Sequence, residues 1–514
     1  MVEEERKYDV GPDFAVPDLS GTVPSGGRVV QLPPVTLTAT YYDTDDLRLA
    51  RSGASLRYRR GDAEPWTVKL PTGSVGVRHE ISRSGRPGTP PAELVDLVTA
   101  VTRGAPLAPA VVIRTVRRAH ELRDRDGEVL VELADDSVAV LDGRRIASRF
   151  REVEAELKKG RPKLLDRVDK ELRAAGAVST IAQSGAFTPK HVRALGEAAG
   201  RPADLRRPGP LPDKPRAGDV VTAAVRRGVD RILSSDPLVR LRATVGDDDS
   251  AVHQMRVGCR RLRSDLRTFA PLVDQGWARP LRDELSWLAG VLGAARDAEV
   301  LRDRLRRTAG ADPLCSLDPA SVARIDAELA VRHEEALVQL DAALSGERYL
   351  RLVETLVVVA REPRLAPAAR GKATAVLPRL VARPWRDFAY GSRGMDGAAD
   401  LSQDSADELW HDVRIRGKRA RYAVEATARA IGGPARELGA ALAGVQELLG
   451  EHQDAAVAAD TWVAVSRADP DDLILAVTAG RLFERERAAI RHARAQFPQA
   501  WKVASQRRLV SWLP

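Results

Sequence analysis

Two segments of the chain carry cationic side chains at the spacing of one helical face. They are "HQMRVGCRRLR", which begins at His253, and "HDVRIRGKRAR", which begins at His411. At ~100° per residue, the histidine and three arginines of the first segment fall within an arc of about 80°. Like charges on adjacent turns repel by roughly 0.2–0.5 kcal/mol per pair, so an anion is expected along each face. The predicted anion-binding residues are His253, Arg256, Arg260, Arg261, Arg263, His411, Arg414, Lys418, Arg419 and Arg421.

Nearby acids offer a structural explanation of the same pattern. Asp297 in "VLGAARDAEV" and Asp454 in "LLGEHQDAAV" occupy matching positions of a second repeated element. Each aspartate could anchor one arginine, but a single carboxylate cannot balance four cations. A metal site built on His253, His411 and His452 is disfavoured, because the neighbouring arginines would repel a cation. Two elements repeated in register indicate an internal duplication.

The first part of the chain alternates charged and apolar residues, which is typical of β-strands. "WTVKL" places Lys69 on the face opposite Trp66, and "REVEAELKK" places Glu152 and Glu154 opposite Val153. A sheet with one solvated face would give such a pattern, but Ser, Thr and Gln are the minority on these faces. We therefore predict a closed barrel with a charged interior and an apolar exterior covered by helices. A multiply charged anion with a divalent cation would satisfy both signs of charge.

Composition divides the chain into parts with different periodicities. The strand pattern covers 1–197, a Pro/Gly-rich linker covers 198–218, and a helical pattern covers 219–505. The break "YGSRGMDGAADLSQDS" separates two helical halves at about 219–390 and 400–505. The predicted fold is multidomain, with an N-terminal antiparallel β-barrel with peripheral helices and a C-terminal all-α domain of two related helical bundles.

Bulk composition favours an anionic partner in a reducing compartment. The net charge is +9, the sequence pI is about 9.7, and only two cysteines occur in 514 residues. Two thiols give neither a disulfide framework nor a cysteine-based metal site. The start "MVEEERKYDV" lacks an apolar signal segment, and the longest aliphatic run, "TLVVVA", is too short to span a bilayer. We expect a cytoplasmic protein without a membrane partner.

Three motifs in the first 195 residues resemble the CYTH superfamily, the triphosphate tunnel metalloenzymes. They are "EEERK", "YYDTDDLRLARSGASLRYRRGDAEPWTVKLP" and "RFREVEAELKKG", in that order. The resemblance implies a tunnel-shaped barrel that hydrolyses triphosphate compounds with Mg²⁺ or Mn²⁺.

Residue roles inside this barrel are also implied by the resemblance. The register of "VIRTVRR" is left open, so Arg118 could replace one of its two other arginines. Glu132 and Glu156 share the charged faces without a family counterpart. The predicted phosphate-binding, catalytic residues are Lys7, Arg57, Arg59, Lys69, Arg114, Arg117 and Lys190. The predicted metal ligands are Glu3, Glu5, Glu80, Asp136, Glu152 and Glu154.

The two cationic segments and the repeated aspartate elements resemble the CHAD domain, the conserved-histidine α-helical module. The resemblance covers about 218–505 and implies two helical bundles related by a pseudo-twofold axis, whose basic helices form a groove for inorganic polyphosphate. Lys and Arg clusters bind phosphate without sequence information, which suits this polymer.

The leading functional hypothesis is a metal-dependent triphosphatase acting on inorganic triphosphate or a related short substrate, joined to a polyphosphate-binding domain. The alternative is a non-catalytic polyphosphate adaptor. Nucleic acid is a less favoured partner, because aromatic residues are only 4% of the chain and no recognition motif is present. Nothing in the sequence indicates the adenine pocket of a cyclase. A cytoplasmic polyphosphate binder could associate with polyphosphate granules.

Overall fold

The computed structural model describes residues 2–72, 76–180, 188–245, 249–311, 316–392 and 394–514. The side chains of Val2 and Glu3 lie outside this description. The chain forms two compact units, which divide between Asp204 and Leu205. Each unit is described by itself.

The first unit is built on antiparallel strands. Their bounds are β1 Val2–Asp9, β2 Arg28–Gln31, β3 Val35–Asp43, β4 Ser55–Arg60, β5 Trp66–Pro71, β6 Val77–Arg83, β7 Ala108–Arg123, β8 Val129–Asp142, β9 Arg145–Leu157 and β10 Val178–Ser179. Eight of them pair in the order β1-β6-β5-β4-β3-β7-β8-β9, and β9 pairs with β1 again. The sheet is therefore a closed barrel, as predicted. Strands β2 and β10 add to β7 and β1 at its margin.

Short helices accompany the barrel. Their bounds are α1 Arg48–Ser52, α2 Ala92–Leu97, α3 Thr99–Thr102, α4 Pro162–Ala174 and α5 Lys190–Leu195. The amphipathic helix α4 covers the outside, where Leu165 and Val168 pack against Val153 and Leu133 in one buried apolar cluster. Since successive strand residues face opposite sides, this packing turns the charged residues of β8 and β9 inward.

Helix α5 packs against apolar residues of the inner barrel face. Ala194 and Leu195 contact a cluster that includes Ile113 of β7 and Val140 of β8. Both strand residues share the inner face with charged positions further along the same strands, by the alternation of side chains. The helix thus carries its first residue, Lys190, to the barrel interior.

The second unit is helical within the described residues, apart from a short hairpin, β11 Thr244–Val245 and β12 Asp249–Ser250. The helices are α6 Ala217–Arg240, α7 Ala251–Thr268, α8 Gln275–Ala309, α9 Pro319–Ser345, α10 Glu347–Arg361, α11 Ala373–Tyr390, α12 Asp407–Ile431, α13 Gly433–Ala468, α14 Leu473–Ala504 and α15 Arg507–Val510. Helix α7 packs on α8, and α12 packs on α13, so the two copies of the repeat have matching neighbours. This agrees with the predicted helical C-terminal region.

Apolar clusters hold the second unit together across the repeat. In one of them Leu305 of α8 and Ile325 of α9 pack with Trp462 of α13 and Leu482 of α14. A buried ionic group crosses the same boundary, because Arg304 donates to Glu486 at 2.6 Å. In the part of the chain that the structure describes, no helix combines the length and the apolar character that crossing a bilayer would require.

Candidate functional site

Three cations meet a group of carboxylates inside the barrel. Lys7 Nζ donates a hydrogen bond to Glu154. Lys190 Nζ lies 2.5 Å from Asp136 Oδ2. Arg117 donates to both carboxylate oxygens of Asp136, at 2.9 and 2.7 Å, and to Glu154 Oε2 at 3.1 Å. These charge-assisted bonds join β1, β7, β8, β9 and α5 into one network.

Strand register explains why these side chains meet. Residues directly opposite each other on antiparallel strands share a face of the sheet. Lys7 of β1 is opposite Glu154 of β9. Asp136 of β8 is opposite Arg117 of β7 on one side and Glu152 of β9 on the other. The inner face therefore gathers the acids of β8 and β9 between the cations of β1 and β7.

A second group of charges lies on β4, β5 and β6. Lys69 Nζ is 2.9 Å from Glu80 Oε2, and Arg57 Nη2 is 3.9 Å from Glu80 Oε1. Arg78 Nε approaches Glu5 Oε1 at 3.7 Å, while Lys7 Nζ is 3.0 Å from the other oxygen of Glu5. This links the second group to the network of β1 and β9. Most of the cations and acids predicted from the sequence are thus gathered in one enclosed region.

Two predicted arginines have different positions. Arg59 shares the inner face with Arg57, opposite Ala39, and its Nε bonds Asp62 of the following turn at 2.5 Å. Arg114 is exposed and, being opposite Thr38 and Ala139, occupies the outer face of β7. The structure does not bring Arg114 to the predicted phosphate site. Its exclusion follows from strand alternation, which turns Arg117 inward and places Arg114 on the outside.

The remaining open positions are settled in the same way. Arg118, the alternative in the ambiguous register, is also exposed on the outer face of β7. Glu132 Oε1 lies 3.7 Å from Arg117 Nη1 at the edge of the network, and Glu156 pairs with Lys158 at 2.5 Å. Glu3 belongs to β1, but its side chain lies outside the described residues, so its predicted role as a metal ligand stays a prediction.

Burial and charge shift the acid–base properties of the network. Burial raises the pKa of Glu152 to about 7, and the nearby Glu154 carboxylate adds to this shift. Burial also opposes ionisation of Glu154, but Lys190 and Lys7 prevail and hold its pKa well below the usual range. Burial would lower the pKa of Lys190, yet the carboxylates of Glu154 and Asp136 raise it above its ordinary value. One carboxylic acid thus titrates near neutrality beside another that stays ionised.

The donor chemistry of the interior fits a hard divalent cation. Mg²⁺ and Mn²⁺ prefer carboxylate oxygens as ligands. Glu5 Oε1 and Glu152 Oε1 are buried and accept no hydrogen bond from a described residue, so each keeps a lone pair available. Among the described residues no cluster of three or more His, Cys, Asp or Glu forms a ready-made metal cage. The carboxylates are instead neutralised by Lys7, Arg117 and Lys190.

Three residues that face this interior, Arg78, His191 and Tyr41, were not predicted from the sequence to belong to the site. Arg78 is 8% exposed and approaches Glu5, and its shared strand face with Glu80 was the available signal. His191 stacks on Tyr41 with ring centroids 4.9 Å apart. Burial lowers the pKa of His191 to about 3, so this ring is neutral at physiological pH. No strand or helix periodicity in the sequence pointed to the stacking.

In the helical unit the two repeat copies form the same type of ion pair. Arg256 of α7 donates to Asp297 of α8 at 2.9 Å. Arg414 of α12 lies 3.7 Å from Asp454 of α13, in the matching place of the second copy. Each aspartate therefore neutralises one arginine in its half, as the sequence suggested. Ser250 caps the first of these helices by accepting from the backbone N–H of His253.

Several cations of the helical unit have no acidic partner in the part of the chain that the structure describes. Arg260, Lys418 and Arg419 make no ion pair or side-chain hydrogen bond with any described residue. Arg263 donates to the uncharged Ser286 hydroxyl at 2.6 Å. Burial lowers the pKa of Lys418 to about 7, with Arg260 the largest of the like charges that add to the shift. Cations from α7 and α12 therefore crowd one surface.

Other predicted members of this surface are already paired. Arg261 and Arg421 each lie 2.7 Å from an oxygen of Glu425. Their charges are shared with this carboxylate, which lowers the contribution either can make to anion binding. His411 Nδ1 lies 2.5 Å from Gln453 Oε1, and His452 is buried against Trp410. His253 Nε2 lies 3.8 Å from Asp249 Oδ2, so the three histidines have different neighbours and do not form one metal site.

The structure thus combines two parts. One is a closed antiparallel barrel lined by paired acids and cations, and the other is a duplicated helical unit with a cationic surface. The chain belongs to the CYTH and CHAD families: the CYTH domain matches residues 1–183, and the CHAD domain matches residues 223–463. CYTH domains are found in enzymes that act on triphosphates and generally depend on a metal.

Individual relatives extend this comparison. An uncharacterized protein of Mycobacterium tuberculosis is 33% identical over 532 residues, covering 97% of this chain and 95% of the relative. The crystal structure of the CHAD domain from the plant Ricinus communis is similar with 25% identity and a TM-score of 0.43, covering 58% of this chain and 96% of that one. A putative adenylyl cyclase from Hippeastrum, described as having a dominant triphosphatase activity, shows 18% identity and a TM-score of 0.21, covering 35% and 91%.

Proposed function

We propose that the barrel is a divalent-metal-dependent triphosphatase that hydrolyses inorganic triphosphate or a related short phosphate compound. The observation that carries the proposal is the enclosed network of Lys7, Arg117 and Lys190 with Asp136 and Glu154. So many buried charges of both signs are costly in an empty interior, whereas a polyanion and a cation together would match them.

The cations of the barrel would bind and orient the substrate. Lys7, Lys190 and Arg117 supply charged donors from one side of the interior, and Arg57 and Lys69 supply them from β4 and β5. Fixed donors of this kind stabilise the charge on transferring phosphoryl oxygens without reorganisation. The enclosing sheet limits access of other water to the substrate.

Carboxylates would hold the metal. Glu5 Oε1 and Glu152 Oε1, which accept no hydrogen bond from a described residue, are the proposed ligands, with Asp136 and Glu154 beside them. The chemistry that Mg²⁺ or Mn²⁺ supplies when bound is polarisation of a phosphoryl oxygen. Lys7 and Lys190, which now neutralise these carboxylates, would then be available to phosphate.

The double substitution Glu152→Gln with Glu154→Gln tests the catalytic assignment. It removes two negative charges from the metal ligands and keeps the side-chain volume. Mg²⁺-dependent phosphate release should fall to background, while polyphosphate binding by the helical unit stays intact. Glu156→Gln is the matched control, because Glu156 shares the strand and the face but pairs with Lys158. Turnover retained in the double variant would contradict the proposal.

We further propose that the helical unit binds inorganic polyphosphate on the surface formed by Arg260, Lys418, Arg419 and their neighbours. The unpaired cations support this assignment, since a linear polyanion offers one phosphate to each of them. Competition between polyphosphate and DNA at matched salt tests it. Preference for DNA would favour a nucleic-acid-binding function instead. The proposed place of action is the cytoplasm.

A non-catalytic polyphosphate adaptor is the second candidate function. The observation that favours it is the pairing of the interior carboxylates with Lys7, Arg117 and Lys190, which leaves no ready-made metal cage among the described residues. Such a barrel would bind a phosphate ligand without hydrolysing it. Protein that binds polyphosphate yet releases no phosphate from triphosphate, with either metal, would select this alternative.

A further inference from the structure

A cavity of about 700 Å³ lies between α7, α11 and α12 in the helical unit. Its size is within the range of roughly 300–1,000 Å³ that is usual for sites of small organic ligands. Arginines supply much of its polar lining. Arg267, Arg379, Arg383, Arg416 and Arg419 all border it.

Most of these guanidinium groups are incompletely paired. Arg267, Arg379 and Arg419 make no ion pair or side-chain hydrogen bond with a described residue. Arg416 is only 6% exposed, and its Nη2 donates to the Asp396 carbonyl at 2.5 Å. Its Nε and Nη1 are buried and donate to no described residue. An unpaired buried guanidinium among other cations is unfavourable without an anion nearby.

The rest of the lining excludes a simple phosphate chain as the best occupant. Asp387 and Asp412 also border the cavity, and among the described residues only Asp387 forms an ion pair, with Arg383 at 4.0 Å. Polyphosphate carries hydrogen-bond acceptors and negative charge alone, so these carboxylates would repel it. Leu380 and Ile415 add apolar surface that a phosphate chain cannot use. An organic group with hydroxyl or amino donors would satisfy both features.

Apart from Arg419, the cavity and the proposed polyphosphate surface use different sides of α12. At ~100° per residue, Arg416 is turned about 160° away from Arg414. Arg419 borders the cavity. Burial lowers the pKa of Arg267, and the like charge of Arg419 adds to this shift. The cavity is thus adjacent to the cationic surface, and Arg419 borders both.

We propose that this cavity binds a nucleoside phosphate. The phosphates would contact Arg379, Arg383 and Arg419, and the nucleoside would place its apolar face on Leu380 and Ile415. Its hydroxyl or amino groups would donate to Asp412 and Asp387. Arginine planes are also suitable partners for the flat base. This gives the helical unit a ligand distinct from a phosphate polymer.

Calorimetric titration of the full-length protein with ATP in the presence of EDTA tests the proposal. We expect Arg379→Ala with Arg383→Ala to weaken ATP binding by roughly tenfold or more, because charged hydrogen bonds are lost. Polyphosphate binding should change little, which also reports that the variant is folded. Arg386→Ala is the matched control, since Arg386 is exposed on the same helix and donates to the Pro514 carbonyl. These substitutions would not affect any binding of ATP within the barrel. The part of the ATP binding that is lost in the double variant is therefore the part that occurs in the cavity.

A second variant separates a nucleotide site from a general anion site. Asp412→Asn should lower the affinity for ATP relative to that for inorganic triphosphate, because a carboxylate acceptor is lost and repulsion of phosphate is relieved. Two results would overturn the proposal. One is unchanged ATP binding in the variant with both Arg379→Ala and Arg383→Ala. The other is wild-type protein that binds triphosphate as tightly as ATP, together with equal losses of affinity for the two ligands in both variants.

Discussion

Lys190 Nζ lies 2.5 Å from Asp136 Oδ2 and brings a cation from helix α5 to the inner face of the barrel. The same nitrogen is 3.4 Å from Glu152 Oε1 and 3.7 Å from Glu154 Oε1. A single lysine thus lies within 4 Å of three carboxylates from two strands. Its position allows it to hold either these carboxylates or a phosphate.

Replacement of Lys190 should impair the proposed reaction. Lys190→Met removes a charged donor, and loss of one such bond costs about 1.5–3 kcal/mol, or roughly ten- to a hundredfold in kcat/KM. Steady-state phosphate release measures the change. Lys170→Met is the control, because Lys170 is exposed on α4 outside the barrel interior. Equal activity of the two variants would show that Lys190 does not contribute to the reaction.

The raised pKa of Glu152 predicts a pH-dependent stability. Burial raises this pKa from 4.5 to about 7, so the folded protein binds the proton more tightly than the unfolded chain. The stability that the proton contributes is complete below about pH 4.5 and is lost as the pH rises through about 7. Glu152→Gln stays neutral at every pH. Its free energy of unfolding should therefore rise by about 3 kcal/mol relative to that of the wild type as the pH increases from about 4.5 to above 7.

Urea unfolding at pH 4.5 and pH 8 in EDTA measures this effect. The free energy of unfolding of Glu152→Gln minus that of the wild type should be larger at pH 8. Glu156→Gln should show no such increase, since that residue is partly exposed and pairs with Lys158. A difference that is the same at both pH values would show that Glu152 does not titrate in this interval.

Polyphosphate binding should weaken as the pH rises through neutrality. The pKa of Lys418 is lowered to about 7 by burial and by the cations Arg260, Arg414 and Arg256, with Asp454 as the opposing charge. A bound polyanion favours the charged lysine, so binding takes up a proton above pH 7. The affinity should fall by roughly tenfold between pH 6 and pH 8.5 in fluorescence anisotropy. Lys418→Arg, which keeps its charge, should flatten the profile, and an unchanged slope would argue against this role.

Arg260 should contribute to polyphosphate affinity through charge alone. Arg260→Ala removes a cation that has no acidic partner among the described residues. The slope of log K against log salt should decrease in magnitude by about 0.7, the value for one contact with a single-stranded polyanion. Arg279→Ala, an exposed residue of α8, should leave the slope unchanged. Equal slopes for both variants would place Arg260 outside the binding surface.

The sequence predicts the barrel because the alternation of charged and apolar residues is visible within a single strand. In β9, Glu152 and Glu154 alternate with Val153, and the structure buries the valine against α4 while the acids face inward. The alternation of β7 could not be assigned in the same way. Arg114 and Arg117 are an odd number of positions apart, so only one can face the interior, and the sequence does not say which.

Contacts between distant helices could not be predicted from helical periodicity. Arg261 belongs to the predicted cationic face of α7, but it pairs with Glu425 of α12 at 2.7 Å. The pairing depends on how the two helices cross, which the spacing of residues within either helix does not encode. By contrast, the sequence predicted that Asp297 could anchor one arginine of its half, and the structure identifies that arginine as Arg256.

The most direct test of the proposed function is phosphate release from inorganic triphosphate by the wild-type protein, with Mg²⁺ or Mn²⁺ and with EDTA. The proposed chemistry predicts metal-dependent release that exceeds release from long polyphosphate and is absent in EDTA. Absence of release with either metal, from protein that still binds polyphosphate, would contradict a catalytic barrel.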